Sequence, residues 1–196
     1  GMDPHFLDTD RRVNRIMMRG YQQKKPCAPA MRHRCVEWSC PANFYPDFSV
    51  WAENCWGINV VASMESLISD INTEDRDQAL ADLARSYQRT TMRKHTKGGY
   101  ANVLDELWIV CKQYNADMVL MYDQNSCKGM DGLRGVFEEQ AAARGVHMLW
   151  VAQDLLDSRT ISKRDMRRQV NLYMQTVMGE EPVRPDLVDF DDALTW

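Results

Sequence analysis

The stretch Asp117–Leu133, DMVLMYDQNSCKGMDGL, decides the fold. Its apolar run Met118–Met121 is followed by turn-forming residues, which is typical of a strand covered on both faces. Apolar residues then recur at helical spacing, so Cys127 lies between the carboxyl end of a strand and a helix. Ligands bind at that edge in open α/β sheets, and a helix N-terminus and the Lys128 cation favour a thiolate. Cys127 is a candidate metal ligand or nucleophile, or equally a loop cysteine without a role.

Apolar runs with strand character alternate with amphipathic stretches along the chain. Strands are expected at Met31–Trp38, Ile58–Ala62, Asp117–Met121 and His147–Val151, and helices at Phe44–Cys55, Glu65–Ile71, Ala79–Tyr87, Tyr100–Tyr114, Gly132–Ala143 and Ser162–Met178. The alternation predicts a doubly wound α/β fold with a mainly parallel four-stranded sheet and helices on both faces. A flavodoxin-like order, 2-1-3-4, would place the loops with Cys40 and Cys127 side by side.

Proline and glycine divide the chain into three parts. Residues 1–28 form an N-terminal helix and linker, residues 29–179 the α/β domain, and residues 180–196 an acidic tail. Gly179 and Pro182 end the last helix. The tail carries apolar residues among its acids, and it could dock on its own domain or on a partner.

Composition excludes several function classes. The 196 residues are 44% hydrophobic and 27% charged, as in ordinary soluble domains, and the net charge of −4 argues against a general nucleic-acid binder. No apolar run approaches the roughly 20 residues that span a membrane, and there is no secretory signal. Six cysteines without framework spacing indicate a reducing compartment, so we expect a cytoplasmic protein. From the charge and the lack of a membrane-spanning run, we expect neither nucleic-acid nor membrane partners.

Common catalytic motifs are absent from the sequence. There is no G-x-G-x-x-G after the first strand, no P-loop and no G-x-S-x-G. A cysteine hydrolase would need a histidine near Cys127, and only His33 or His147 could serve. An iron–sulfur cluster on Cys127 would need at least two more ligands, normally thiolates. Cys40 is one candidate, and another chain or domain could supply the rest.

Three segments within residues 31–178 resemble the C-terminal domain of the 2-hydroxyacyl-CoA dehydratase subunits. This family includes component D of 2-hydroxyglutaryl-CoA dehydratase and the benzoyl-CoA reductase subunits. Asn115–Lys128 runs from a strand into N-S-C-K. Gly145–Ser162, GVHMLWVAQDLLDSRTIS, is similar to the family's G-I-P-x-L-x-(I/L)-x-x-D-x-x-D-x-R-x-x-S. Lys163–Met178 is similar to its arginine-rich helix, although the final acid is shifted.

The resemblance implies a lyase that works anaerobically by radical chemistry. Family subunits pair and hold an oxygen-sensitive [4Fe-4S] cluster on three cysteines. An ATP-dependent activator supplies one electron, and an acyl-CoA substrate loses its 2-hydroxyl group by way of a ketyl radical. Family subunits are longer than this chain, because an N-terminal domain supplies the other cluster cysteines. We therefore expect the chain to be inactive without that domain or a second subunit.

Carried over residue by residue, the resemblance assigns Cys127 as a cluster ligand. Ser126 and Lys128 flank it and are candidate catalytic residues, while Cys40 is a candidate metal ligand only by its place in the neighbouring loop. Arg159, in the second motif beside Asp154 and Asp157, is either catalytic or half of an ion pair that fixes its loop. The alternative function is a non-catalytic α/β module that binds an acyl-CoA or a partner subunit.

Overall fold

A parallel sheet forms the centre of the protein. The computed structural model describes residues 30–64, 74–88 and 98–190, with a few residues between 8 and 23. Its strands are β1 (His33–Trp38), β2 (Ile58–Ser63), β3 (Met118–Gln124) and β4 (His147–Gln153). They pair in the order β2-β1-β3-β4, and every pair is parallel. The predicted doubly wound α/β fold and its 2-1-3-4 strand order are confirmed.

Helices cover both faces of this sheet. They are α1 (Phe48–Trp56), α2 (Arg76–Gln88), α3 (Tyr100–Tyr114), α4 (Lys128–Asp131), α5 (Arg134–Ala142) and α6 (Lys163–Thr176), followed by a 3₁₀ turn at Pro185–Leu187. Helices α1 and α6 pack on one face and form the first core. Helices α3 and α5 pack on the other face and form the second core.

Strand β3 is apolar because both of its faces are covered. Leu120 and Tyr122 enter the first core, whereas Val119 and Met121 enter the second. These side chains are at most 1% exposed. Burying one aliphatic side chain of this size contributes about 1.5–3 kcal/mol, so the strand anchors both layers.

Several boundaries differ from the sequence-based expectations. Strands β3 and β4 continue to Gln124 and Gln153, beyond the apolar runs, because backbone pairing persists where the side chains are already polar. The first helix begins only at Phe48, since residues 43–47, which follow Pro41 and include Pro46, mostly form turns. The predicted helix Gly132–Ala143 is shorter and follows the separate short helix α4. The expected helix Glu65–Ile71 and most of segment 1–28 lie outside the described residues.

The first part of the C-terminal tail packs on the α1 and α6 face. Trp51 Nε1 donates to the Leu187 carbonyl and Asn171 Nδ2 donates to the Val188 carbonyl, both at 2.8 Å. The side chains of Leu187, Val188 and Phe190 pack against the first core. Up to residue 190 the tail therefore docks on its own domain. No helix in the described part of the chain is long and apolar enough to cross a membrane.

Candidate functional site

The carboxyl edge of the sheet brings together the loops that follow β1 and β3. Cys40 lies two residues beyond the end of β1, and Cys127 lies three residues beyond the end of β3. Because β1 and β3 are neighbours, both loops lie where the chain reverses the direction in which it adds strands. Doubly wound sheets form their ligand crevice at this switch point.

The side chain of Gln153, at the end of β4, joins the two loops. Its Nε2 donates to the Cys40 carbonyl at 3.0 Å and to Gln124 Oε1 at 3.1 Å. The Asn125 amide donates to the Gln153 carbonyl at 3.1 Å. Gln153 is fully buried, so these bonds are shielded from competing water. The position of each cysteine loop is therefore set partly by the end of β4.

Cys127 occupies the N-cap position of α4. Its amide donates to the Gln124 carbonyl at 2.8 Å, and its half-buried side chain packs against the second core. Ser126 and Lys128 are exposed on either side. Helix α4 is only four residues long, so its dipole adds little to the field at Cys127, in contrast to the longer helix expected from the sequence.

The described residues do not make a complete cluster site. Within them, no group of three or more His, Cys, Asp or Glu side chains is placed to hold a metal ion. Cys35, Cys55 and Cys111 are buried in the two cores. This part of the chain therefore does not bring together the three thiolates of a [4Fe-4S] site.

A glutamate that the sequence analysis missed lies at the switch point. Tyr122 Oη donates a short hydrogen bond of 2.6 Å to Glu37 Oε1. Burial raises the pKa of Glu37, although the bond from Tyr122 opposes the rise. Burial and the neighbouring Glu37 charge also raise the pKa of Tyr122. The sequence does contain a sign of this site. Glu37 is an acidic residue one position before the end of β1, and it lies on the same face of the strand as the buried Cys35.

A second acidic group lies beside the loop of Cys127. Burial and a hydrogen bond with Asp131 raise the pKa of Asp123 to about 6. Arg134 opposes this rise, with its Nη1 3.8 Å from Asp123 Oδ2. The Arg134 guanidinium also lies 4.9 Å from the centre of the Trp150 ring. This acid pair can hold a proton in mildly acidic solution, a property that the sequence pattern did not indicate.

The residues of the second motif fix the loop after β4. Asp154 Oδ1 accepts from the amides of Leu156 and Asp157, at 2.9 and 2.8 Å. Arg159 donates hydrogen bonds to the Asp157 carboxylate from two nitrogens, Nε and Nη2, with Nη2 at 2.7 Å from Oδ2. The Arg159 side chain is 89% exposed. The bonds from Arg159 lower the pKa of Asp157 to about 2. The ion-pair interpretation of Arg159 describes this geometry, and a catalytic role for Arg159 stays a prediction.

The two histidines considered for a cysteine hydrolase lie at the opposite edge of the sheet. His33 and His147 begin β1 and β4, whereas Cys127 follows the carboxyl end of β3. A strand of this length spans about 20 Å, far beyond hydrogen-bond reach. Neither histidine can activate Cys127, so a cysteine–histidine mechanism with these residues is ruled out.

The sheet topology and the cysteine-bearing loops first define a class: a doubly wound α/β domain whose candidate ligand site lies at the β1/β3 switch point. The family described as 2-hydroxyglutaryl-CoA dehydratase, D-component, matches residues 7–176 of this chain. The chain belongs to that family, which supports its assignment as a component of a 2-hydroxyacyl-CoA dehydratase. No curated protein matches the chain.

Proposed function

We propose that this chain contributes Cys127 as one ligand of the iron–sulfur cluster in a 2-hydroxyacyl-CoA dehydratase. Family membership supports this function, and one observation carries it: Cys127 lies at the switch point of the sheet beside the loop of Cys40. The remaining ligands come from a partner subunit or a further domain, and Cys40 is the next candidate. The acyl-CoA substrate and an ATP-dependent activator belong to the same proposal.

The residues around Cys127 have supporting roles in this proposal. The exposed Lys128 follows Cys127 directly and places a cation in this loop, which favours an anionic acyl-CoA. Ser126 offers a hydroxyl group, and its Oγ lies 3.5 Å from Gln124 Nε2. Arg159 is within the loop after β4, whose Leu155 carbonyl accepts from the Asn43 amide at 2.9 Å.

The proposal is tested by anaerobic reconstitution with iron, sulfide and an excess of small thiol. The small thiol can fill iron positions for which this chain has no cysteine. We expect wild-type protein to bind iron with visible charge-transfer absorbance, and Cys127→Ser to lose both. Cys111→Ser is the matched control, because Cys111 is buried in the second core. Iron retained by Cys127→Ser would contradict the proposal, and iron absent from every variant would mean that this chain holds no cluster without the cysteines of a partner.

A second candidate is a non-catalytic α/β module that binds an acyl-CoA or a partner subunit. The packing of Cys127 against the second core favours it, since a structural cysteine has the same surroundings. In this case the reconstituted protein stays colourless and Cys127 is alkylated without any protection by iron. Alkylation before and after reconstitution therefore separates the two candidates on one sample.

A further inference from the structure

The buried side chain of His33, at the start of β1, connects the sheet with the first residue of the tail. Its Nδ1 lies 2.8 Å from Asp117 Oδ2, directly before β3, and its Nε2 lies 2.9 Å from Glu180 Oε1. Carboxylates only accept hydrogen bonds, so the two contacts together require a proton on each ring nitrogen. This end of the tail is therefore bound to the sheet by the charged form of a histidine.

The charged groups around His33 come from the segments that pack against it. Within the described part of the chain, Asp117 and Glu180 act on the ring directly, and the hydrogen bond with Asp117 is the main cause that raises the pKa of His33, while burial lowers it. The neighbouring cations are turned to other partners. Arg34 Nε donates to the Tyr114 carbonyl at 2.9 Å, and Arg32 Nη1 donates to the Glu181 carbonyl at 2.5 Å.

Loss of one proton leaves His33 with one donor for two acceptors. Asp117 is held independently, because its Oδ1 accepts from the Arg34 amide at 2.6 Å. Neutral His33 therefore keeps its proton on Nδ1, and its bare Nε2 then faces the Glu180 carboxylate, which also only accepts. Glu180 retains the exposed Arg32, whose Nη1 lies 3.4 Å from Oε2, but exposed ion pairs of this kind contribute little.

The residues that follow Glu180 cover the end of α1. The Val183 and Arg184 amides donate to the Cys55 carbonyl at 2.8 and 3.3 Å, and Cys55 Sγ lies 3.7 Å from the Arg184 carbonyl. Burial raises the pKa of the Cys55 thiol to about 12. Beyond this segment the tail has an independent anchor, because the side chain of Leu187 packs against the first core.

We propose that His33 is a pH-sensitive latch, whose deprotonation releases the Glu180 side chain, loosens residues 181–184 and uncovers Cys55, while residues 187–190 stay docked. The segment is held while the ring is charged and is loosened as pH rises through the folded-state pKa of His33. The latch lies at the amino edge of the sheet, opposite Cys127, and does not depend on the proposed function.

Hydrogen exchange measured by mass spectrometry between about pH 6 and pH 8.5 tests the latch on the whole chain. Exchange rates are divided by the intrinsic rate at each pH, so that only protection by structure remains. We expect protection of a peptide covering residues 180–186 to fall at least about tenfold as His33 loses its proton, because hydrogen bonds to a charged group are lost. A peptide covering β3 should keep its protection.

Variants separate the latch from a general effect of pH. An amide can accept from the charged ring and donate to the neutral ring, so Glu180→Gln should keep the segment protected at every pH. His33→Gln cannot titrate and should give protection that does not change with pH. His147→Gln is the matched control, because exposed His147 begins β4 as His33 begins β1, and it should keep the wild-type dependence.

Alkylation of Cys55 at a single alkaline pH gives an independent measurement. Cys55 should react faster in wild-type protein than in Glu180→Gln, whereas Cys111 is buried on the other face of the sheet and should react equally in both. Three results would overturn the inference: protection of the segment that does not change with pH, an equal fall in the β3 peptide, or a wild-type dependence in Glu180→Gln.

Discussion

At the scale of single residues, His33 is a side chain whose two carboxylate partners favour its charged form. Its Nδ1 lies 2.8 Å from Asp117 Oδ2 and its Nε2 lies 2.9 Å from Glu180 Oε1. Both carboxylates accept only, so both ring nitrogens must carry protons. The hydrogen bond with Asp117 raises the pKa of His33 above its ordinary 6.5, and burial opposes the rise.

This geometry predicts a loss of stability in mildly alkaline solution. A raised folded-state pKa contributes stability that is complete below the unfolded pKa and is lost as pH rises through the folded value. Urea unfolding at a series of pH values from about 6 upward should therefore show the unfolding free energy of wild-type protein falling as the pH rises through the folded-state pKa of His33. His33→Gln should flatten that dependence, and an unchanged profile would contradict the charged histidine.

Gly57 is a second position where one residue is required. It ends α1 with φ +74°, and an added Cβ would collide with the Ala30 carbonyl. Gly57→Ala should therefore destabilise the protein by about 2 kcal/mol or more, by left-handed strain and the collision together. Gly135→Ala is the matched control, because nothing lies within 4 Å of its added Cβ. That helical substitution should stabilise by about 0.5–1 kcal/mol in the same thermal unfolding assay.

At the scale of elements, a side chain closes the open edge of β4. Gln169 Oε1 accepts from the Ala152 amide at 2.8 Å, and Gln169 Nε2 donates to the Ala152 carbonyl at 3.0 Å. The amide thus pairs with the strand as a neighbouring peptide group would. Since β4 is the last strand in the sheet order, this pair protects an edge that could otherwise join another chain.

Replacing Gln169 should therefore affect both stability and association. Gln169→Ala is expected to lower the free energy of unfolding by about 1–2 kcal/mol, the usual value of two hydrogen bonds. It should also increase light scattering on heating, because the backbone of β4 becomes accessible. Gln175→Ala, an exposed position on the same helix, is the control. Equal scattering by the two variants would show that the edge needs no such protection.

The elements themselves were largely predictable, whereas the site was predictable only in part. Helix α3 has its expected bounds, Tyr100–Tyr114, because its apolar spacing reflects burial directly. The sequence also indicates Cys127 at the sheet edge. It does not indicate the contact of Gln153 with Cys40, which are 113 residues apart, or that of Glu37 with Tyr122. Such pairs arise from strand register, which local periodicity does not contain.

At the scale of the whole molecule, the first part of the C-terminal tail completes the first core. Leu187, Val188 and Phe190 pack against this core, and the Arg167 guanidinium lies 4.1 Å from the centre of the Phe190 ring. Arg167 is only 1% exposed. A charged group buried so deeply depends on the contacts around it, and its Nη2 donates to the Phe190 carbonyl at 3.3 Å. The tail therefore acts as a part of the fold.

Removing the tail tests this conclusion. A variant that ends at Gly179 should lose about 3–5 kcal/mol of unfolding free energy, from lost apolar burial and lost hydrogen bonds at Trp51 and Asn171. Because Trp51 donates to the Leu187 carbonyl, its fluorescence should also report a wetter environment in the truncated native state. A tail that served only to bind a partner would leave both measurements unchanged, since the first core would then be complete without it.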